Sequence, residues 1–146
     1  MTVIGMVETY KKLNLYGQKP KGLINTAAAS ALGRMMNKYC QREGIALLNI
    51  VRRKEQVKIL EEEGAKYIVN TSEENWLNQY KEHISIQGFN VLFDAIGGGD
   101  VTELLISSLK PESQVYIYGK LTNEPFLMRK PLVALQGTSI TNFMLF

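Results

Sequence analysis

Two spacings of apolar residues alternate along the chain. Short apolar-rich runs, typical of buried strands, cover residues 22–26, 45–51, 67–69, 89–95 and 114–118, and a β-prone run that ends apolar covers residues 138–146. Between these runs apolar residues recur every three to four positions, which is the spacing of one helix face. The pattern is clearest after the first run, at Leu32, Met35, Met36, Tyr39 and Cys40.

Strands that alternate with helices predict an α/β fold. We expect a doubly wound parallel sheet of about six strands, in the order 3-2-1-4-5-6, with helices on both faces. The length of 146 residues suits one hydrophobic core, so residues 1–146 are predicted to form a single domain.

The turn between the first strand and its helix consists of small residues. The N-terminus of a helix offers unpaired N–H groups and a positive dipole end, which together favour an anion such as pyrophosphate. Of the usual dinucleotide pattern G-x-G-x-x-G only the last glycine, Gly33, is present, and Ala29 and Ser30 stand where the backbone would approach the ligand. We predict a pyrophosphate site at Ala29, Ser30, Ala31, Leu32 and Gly33. A plain packing turn between strand and helix is the alternative.

Two arginines end the second strand. An acidic residue that binds the ribose 2′-hydroxyl of NAD is expected about 20 residues beyond the glycines. Arg52 and Arg53 lie 19 and 20 positions after Gly33 instead. Guanidinium groups bind phosphate in a fixed bidentate geometry, so this pair predicts a 2′-phosphate and hence NADP(H). The alternative is a pair of solvated loop charges that leads into the next helix.

Five segments together resemble a known family. They are NTAAASALGRM from position 25, NIVRR from 49, GAKYIVN from 64, FDAIGG from 93 and VYIYG from 115. These residues resemble the cofactor-binding domain, a Rossmann fold, of the medium-chain dehydrogenase/reductases, and within them the zinc-independent quinone oxidoreductases and enoyl reductases. The resemblance covers residues 3–146. The substrate-binding part that the family's enzymes carry has no counterpart in this chain.

The resemblance implies a function and further site residues. The expected activity is hydride transfer from NADPH to a quinone or an activated C=C bond. Ile96, Gly97 and Gly98, which follow the fourth strand, are placed on the nicotinamide side, together with Tyr118 and Gly119 after the fifth. A glycine turn before a helix is the alternative for the first group, and a plain strand end for the second. No residue is predicted to be catalytic, and whether this chain alone is an enzyme stays open.

Two other functions are alternatives to an oxidoreductase. The first is a non-catalytic nucleotide-binding or assembly module without a substrate domain. The second is a methyltransferase-like domain that binds an adenosyl ligand in the same crevice. The second expects an acidic residue at the end of the second strand, where Arg52 and Arg53 stand.

Composition and charge limit the classes of partner that we expect. The net charge of +3 divides into +8 over residues 1–58 (eleven basic, three acidic) and −5 over residues 59–146 (six basic, eleven acidic). The basic residues are dispersed without interleaved aromatic residues, which argues against nucleic acid. No apolar run approaches the roughly 20 residues of a membrane span. His83, the single histidine, has no neighbouring ligand in the sequence for a metal, and the single cysteine, Cys40, favours a cytoplasmic location.

The last apolar run raises the question of what covers it. An exposed β-prone edge would promote aggregation. In dimers of the resembling family the last strand pairs with its copy across a two-fold axis. We therefore predict a homodimer through the segment that begins at Ile140 and ends at Leu145.

Overall fold

The computed structural model describes residues 2–124 and 139–142. Within them the chain forms one six-stranded sheet and five helices, and helices alternate with strands up to the fifth strand. The helices are α1 Val3–Lys12, α2 Ala31–Glu43, α3 Lys54–Glu62, α4 Trp76–Gln87 and α5 Gly99–Ser107. The strands are β1 Leu23–Asn25, β2 Leu47–Val51, β3 Tyr67–Asn70, β4 Val91–Asp94, β5 Gln114–Ile117 and β6 Ser139–Asn142.

The strand order is β3-β2-β1-β4-β5-β6, and every neighbouring pair is parallel. The predicted doubly wound sheet and its order are therefore confirmed. β1, β2, β4 and β5 are shorter than the runs that predicted them, because residues at the ends of those runs belong to loops. β3 extends one residue beyond its run, to Asn70. Residues 143–146 of the last run lie outside the described residues.

Helices cover both faces of the sheet. Successive strand residues point to opposite faces, so each strand contributes to two cores. Ile24 of β1 belongs to a core with Tyr80 of α4 and Leu105 of α5. Leu23, the residue before it, packs with Met6 of α1 and Met36 of α2. Both faces are buried, which explains why the strands read as continuous apolar runs.

Helix α2 faces the sheet differently from the prediction. Met35 was expected in the core but is 60% exposed. The residues turned inward are Gly33, Met36, Asn37 and Cys40. Gly33 decides this orientation, since it packs directly on the backbone that follows β1.

Ser30 and Gly44 mark the ends of α2. The Ser30 hydroxyl accepts a hydrogen bond from the Gly33 N–H at 3.1 Å, which caps the first turn. Gly44 has a φ of 70°, the left-handed conformation that commonly ends a helix.

Cys40 is buried, and burial raises the pKa of its thiol to about 12, so it behaves as a small apolar core residue.

In the described part of the chain, no helix combines the length and the apolar character that crossing a bilayer would need.

A buried carboxylate joins the ends of β1 and β4. Asp94 is 0% exposed. Its Oδ1 accepts from the Thr26 hydroxyl at 2.8 Å and from the Ile96 N–H at 3.1 Å. Its Oδ2 accepts from the Gly97 N–H at 3.0 Å and from the Thr102 hydroxyl at 3.3 Å. Four donors from β1, the loop after β4 and α5 therefore converge on one side chain.

Replacement of Asp94 by alanine leaves these four donors without their acceptor. We expect Asp94→Ala to lower the free energy of unfolding by about 3–5 kcal/mol, the range for breaking a buried charged network. Urea unfolding followed by circular dichroism measures this loss. Glu61→Ala, on the exposed side of α3, is the control and should stay within about 0.5 kcal/mol of the unsubstituted chain. A loss below about 1 kcal/mol for Asp94→Ala would mean that water satisfies the donors.

Candidate functional site

A cavity of about 500 Å³ lies at the carboxyl ends of the strands. It opens where β1 and β4, neighbours in the sheet, lead into helices on opposite faces, the usual ligand position in a doubly wound sheet. Loops after five of the strands line it: Ala27, Ala28, Ala29, Ser30, Ile50, Val51, Arg52, Gln56, Thr71, Ile96, Gly98, Gly99, Asp100, Val101, Leu121, Thr122 and Glu124.

Of the predicted site residues, this cavity brings together Ala29, Ser30, Arg52, Ile96 and Gly98. The other seven do not form its wall. They are Ala31, Leu32, Gly33, Arg53, Gly97, Tyr118 and Gly119.

The turn after β1 is held close to β2. Ala27 adopts a φ of 50°, which is unusual for a residue with a side chain. The Ala28 N–H donates to the Ile50 carbonyl at 3.2 Å, and the Ser30 N–H donates to the Ala27 carbonyl at 3.0 Å. These bonds fix the wall that Ala29 and Ser30 present to the cavity.

Gly33 acts through packing rather than contact with the cavity. A Cβ atom at this position would lie 2.4 Å from the Ala28 carbonyl oxygen, far inside contact distance. This is the role of the third glycine in the dinucleotide pattern, which lets the helix approach the strand. The N–H groups of Ala31 and Leu32, at the first two helical positions, have no acceptor inside the helix and suit an anion.

The two arginines after β2 differ in position. Arg52 lines the cavity and Arg53 does not, although both are exposed. Within residues 2–124 and 139–142, neither guanidinium group has a hydrogen-bond or ion-pair partner. Arg34 contrasts with them, because it pairs with Glu63. Among the described residues, Arg52 therefore has no paired anion at the cavity.

Gln56 is a site residue that the sequence analysis missed. Its Oε1 accepts from the N–H groups of both Arg52 and Arg53, each at 3.0 Å, and the residue also lines the cavity. The available signal was its place as the third residue of α3, where glutamine often bonds back to the residue before the helix.

The loops after β4 and β5 touch through glycine. Gly97 has a φ of 77°, and a Cβ atom on it would lie 2.4 Å from the Gly119 carbonyl oxygen. A Cβ atom on Gly119 would lie 2.9 Å from the Ala95 carbonyl oxygen. Both glycines thus permit a close backbone approach, and their contact with a cofactor remains a prediction.

Tyr118 is a part-buried strand-end residue. Its hydroxyl donates to the Asn25 Oδ1 at 3.1 Å, and its ring makes an edge contact with Phe93. Burial and the nearby Asp94 carboxylate raise the pKa of Tyr118 well above its ordinary value, so the phenol stays neutral at physiological pH. Contact of Tyr118 with a nicotinamide remains a prediction.

Charge is distributed unevenly around the cavity. Arg52 stands at the β2 side, whereas Asp100 and Glu124 stand on the side of β4 and β5. Lys120 donates to the carbonyls of Gly97 and Glu124, at 3.3 and 2.9 Å, and so ties these two loops together. The arrangement suits a long ligand with an additional anionic group at its β2 end.

In the part of the chain that the structure describes, no three His, Cys, Asp or Glu side chains are grouped so that they could hold a metal ion. His83 packs edge-on against Tyr67, and burial lowers its pKa.

Many solved structures share this fold. A putative NADPH:quinone reductase from Mesorhizobium loti superposes with a TM-score of 0.86 at 23% identity, over 97% of this chain and 40% of that one. A putative NADPH:quinone reductase from Bacillus thuringiensis gives 0.77 at 20% identity, over 97% and 42%. Etr1p, a mitochondrial 2-enoyl thioester reductase of Candida tropicalis, was solved with NADP and crotonyl-CoA and gives 0.77 at 19% identity, over 98% and 41%.

These comparisons show the fold, and they show that the chain spans about two fifths of the proteins that it matches. A family model adds evidence from sequence. The model described as zinc-binding dehydrogenase matches residues 31–146, which is most of the chain. Helix α2, the strands after β1 and the cavity-lining residues from Ile50 onwards lie inside this match, whereas the cavity wall at residues 27–30 precedes it. The chain belongs to the zinc-binding dehydrogenase family.

Proposed function

We propose that this chain is the NADP(H)-binding domain of a zinc-independent oxidoreductase that transfers hydride from NADPH to a quinone or an activated C=C bond. One observation carries the proposal. The guanidinium group of Arg52, free of any partner among the described residues, lines a cavity at the carboxyl end of β2. In this fold that position faces the ribose 2′ group of a dinucleotide.

The residues present fit such a cofactor. Gly33 allows α2 to lie against the β1 turn, and the first N–H groups of α2 have no acceptor within the helix. The apolar side chains of Ile96 and Val101 line the same cavity and offer a surface for the uncharged parts of the ligand. NADPH would supply the hydride, and the protein would bind and orient it.

Each group of residues would then have one task. Ala29 to Gly33, at the turn and the first turn of α2, would hold the pyrophosphate. Arg52 would bind the 2′-phosphate, and Arg53 would add positive charge from outside the cavity wall. Ile96, Gly97, Gly98, Tyr118 and Gly119 would form the nicotinamide side.

The proposed type of reaction is inferred from the proteins whose structures match this chain. The matched structures include a putative NADPH:quinone reductase and an enoyl thioester reductase solved with NADP. The resemblance of the sequence to the zinc-independent branch supports the absence of zinc from the proposed reaction. Substrate binding would require a further part, since the matched proteins are much longer than this chain.

Replacement of Arg52 tests the proposed role of the cavity. We expect Arg52→Ala to weaken NADPH binding by about 1.5–3 kcal/mol, the range of charge-assisted hydrogen bonds, and to leave NADH binding nearly unchanged. Calorimetric titration with each cofactor measures both affinities. Arg53→Ala is the matched control and should have the smaller effect, because Arg53 does not line the cavity. Equal losses of NADPH and NADH on Arg52→Ala would contradict a 2′-phosphate role.

We also propose a homodimer in which β6 pairs with its copy. In the described sheet β6 is one of the two edge strands, and Ile140 on it is 38% exposed. Pairing of two such edges would satisfy their free backbone groups and extend the sheet across a two-fold axis.

A charge on this edge should prevent the pairing. Ile140→Lys is expected to shift the chain from dimer to monomer in sedimentation velocity, since edge lysines disfavour strand addition. Ile4→Lys, at an exposed position on α1, is the control and should remain dimeric. A monomeric unsubstituted chain at high concentration would refute the dimer.

A further inference from the structure

The side-chain amide of Gln56 has a fixed orientation. Two backbone N–H groups, those of Arg52 and Arg53, point at the same amide atom at 3.0 Å. Only the oxygen of an amide can accept two N–H donors, so the positions of Oε1 and Nε2 are determined. Gln56 therefore cannot turn its amide over without losing both bonds.

The other half of the amide is an unused donor. Among residues 2–124 and 139–142, Nε2 of Gln56 has no acceptor. The residue is partly buried and lines the cavity beside Arg52. It thus offers an N–H₂ group on the same wall as the guanidinium group of Arg52.

We propose that Gln56 determines the selectivity for a phosphate monoester on the adenosine ribose, with Oε1 positioning the arginine loop and Nε2 donating to a phosphate oxygen. This inference rests on the proposed function, because it assigns a residue to the same 2′-phosphate. The neutral amide gains a hydrogen bond only when the phosphate is present, so it favours NADP(H) over NAD(H).

The loop that carries Arg52 and Arg53 explains why Gln56 would act as a positioning residue. Arg52 and Arg53 lie between β2 and α3, and their side chains have no other anchor among the described residues. Fixing their backbone N–H groups reduces the conformational freedom that phosphate binding must otherwise remove. Gln56 makes this fixation from inside the first turn of α3.

Two substitutions separate selectivity from a merely structural role. Gln56→Glu keeps an oxygen for both N–H groups but replaces the donor by a negative charge. Gln56→Met keeps the size and the neutral charge but removes acceptor and donor. The probes are adenosine 2′,5′-bisphosphate, which carries the 2′-phosphate, and AMP, which lacks it. Calorimetry on the chain measures both affinities, and thermal unfolding reports on stability.

We expect the preference for the bisphosphate over AMP to fall by about tenfold in Gln56→Met and by about thirtyfold or more in Gln56→Glu. The unfolding temperature of Gln56→Glu should stay close to that of the unsubstituted chain, since its carboxylate still caps the helix. Lys58→Gln changes the net charge by the same amount as Gln56→Glu, from an exposed position off the cavity wall, and should leave the preference within about twofold.

The possible outcomes are distinct. An unchanged preference in both Gln56 variants, with the unsubstituted chain still selecting the bisphosphate, would overturn the role of Gln56 and leave the proposed function standing. Equal losses for bisphosphate and AMP would reduce Gln56 to a structural residue and also overturn the inference. An unsubstituted chain that binds neither probe would defeat the proposed function and this inference together.

Discussion

The carboxylate of Asp94 is the interaction on which the cavity depends. It is fully buried and accepts four hydrogen bonds from β1, the loop after β4 and α5. The Thr26 and Thr102 hydroxyls each donate to it while accepting from a loop N–H group. A buried charge is tolerated only with such complete hydrogen bonding. Asp94 thus locks the point where the two halves of the sheet diverge and a dinucleotide would lie.

The positive charge that Arg52 places at the β2 end of the cavity depends on a second set of contacts. The loop after β2 carries two arginines, and a glutamine from the next helix holds the backbone N–H groups of both. Of the two, only Arg52 lines the cavity. A backbone held in this way would lower the entropic cost of binding phosphate, and the proposed phosphate selectivity would then be a property of the loop and of Gln56 together.

The alternation of apolar-rich runs with helix spacings was sufficient to predict the sheet and its order, and the runs that form β1 to β5 are rich in apolar residues because helices cover both faces of the sheet there. It did not predict which face of α2 is buried: Met35 is exposed because Gly33 packs on Ala28, a contact between residues that only the fold brings close. The arginine pair was visible in the sequence, whereas the different positions of Arg52 and Arg53 were not. Gln56 was missed because its position as the third residue of α3 indicates only a helix-capping bond, whereas its place on the cavity wall follows from the fold.

The central claim is that this domain selects NADP(H) through its β2 end, and direct titration tests it. Calorimetry of the unsubstituted chain with NADPH and, separately, with NADH compares two ligands that differ only in the 2′-phosphate. The account predicts binding of NADPH that is at least about tenfold tighter, the free-energy difference of one charge-assisted contact. Equal affinity for the two cofactors, or tighter binding of NADH, would contradict it.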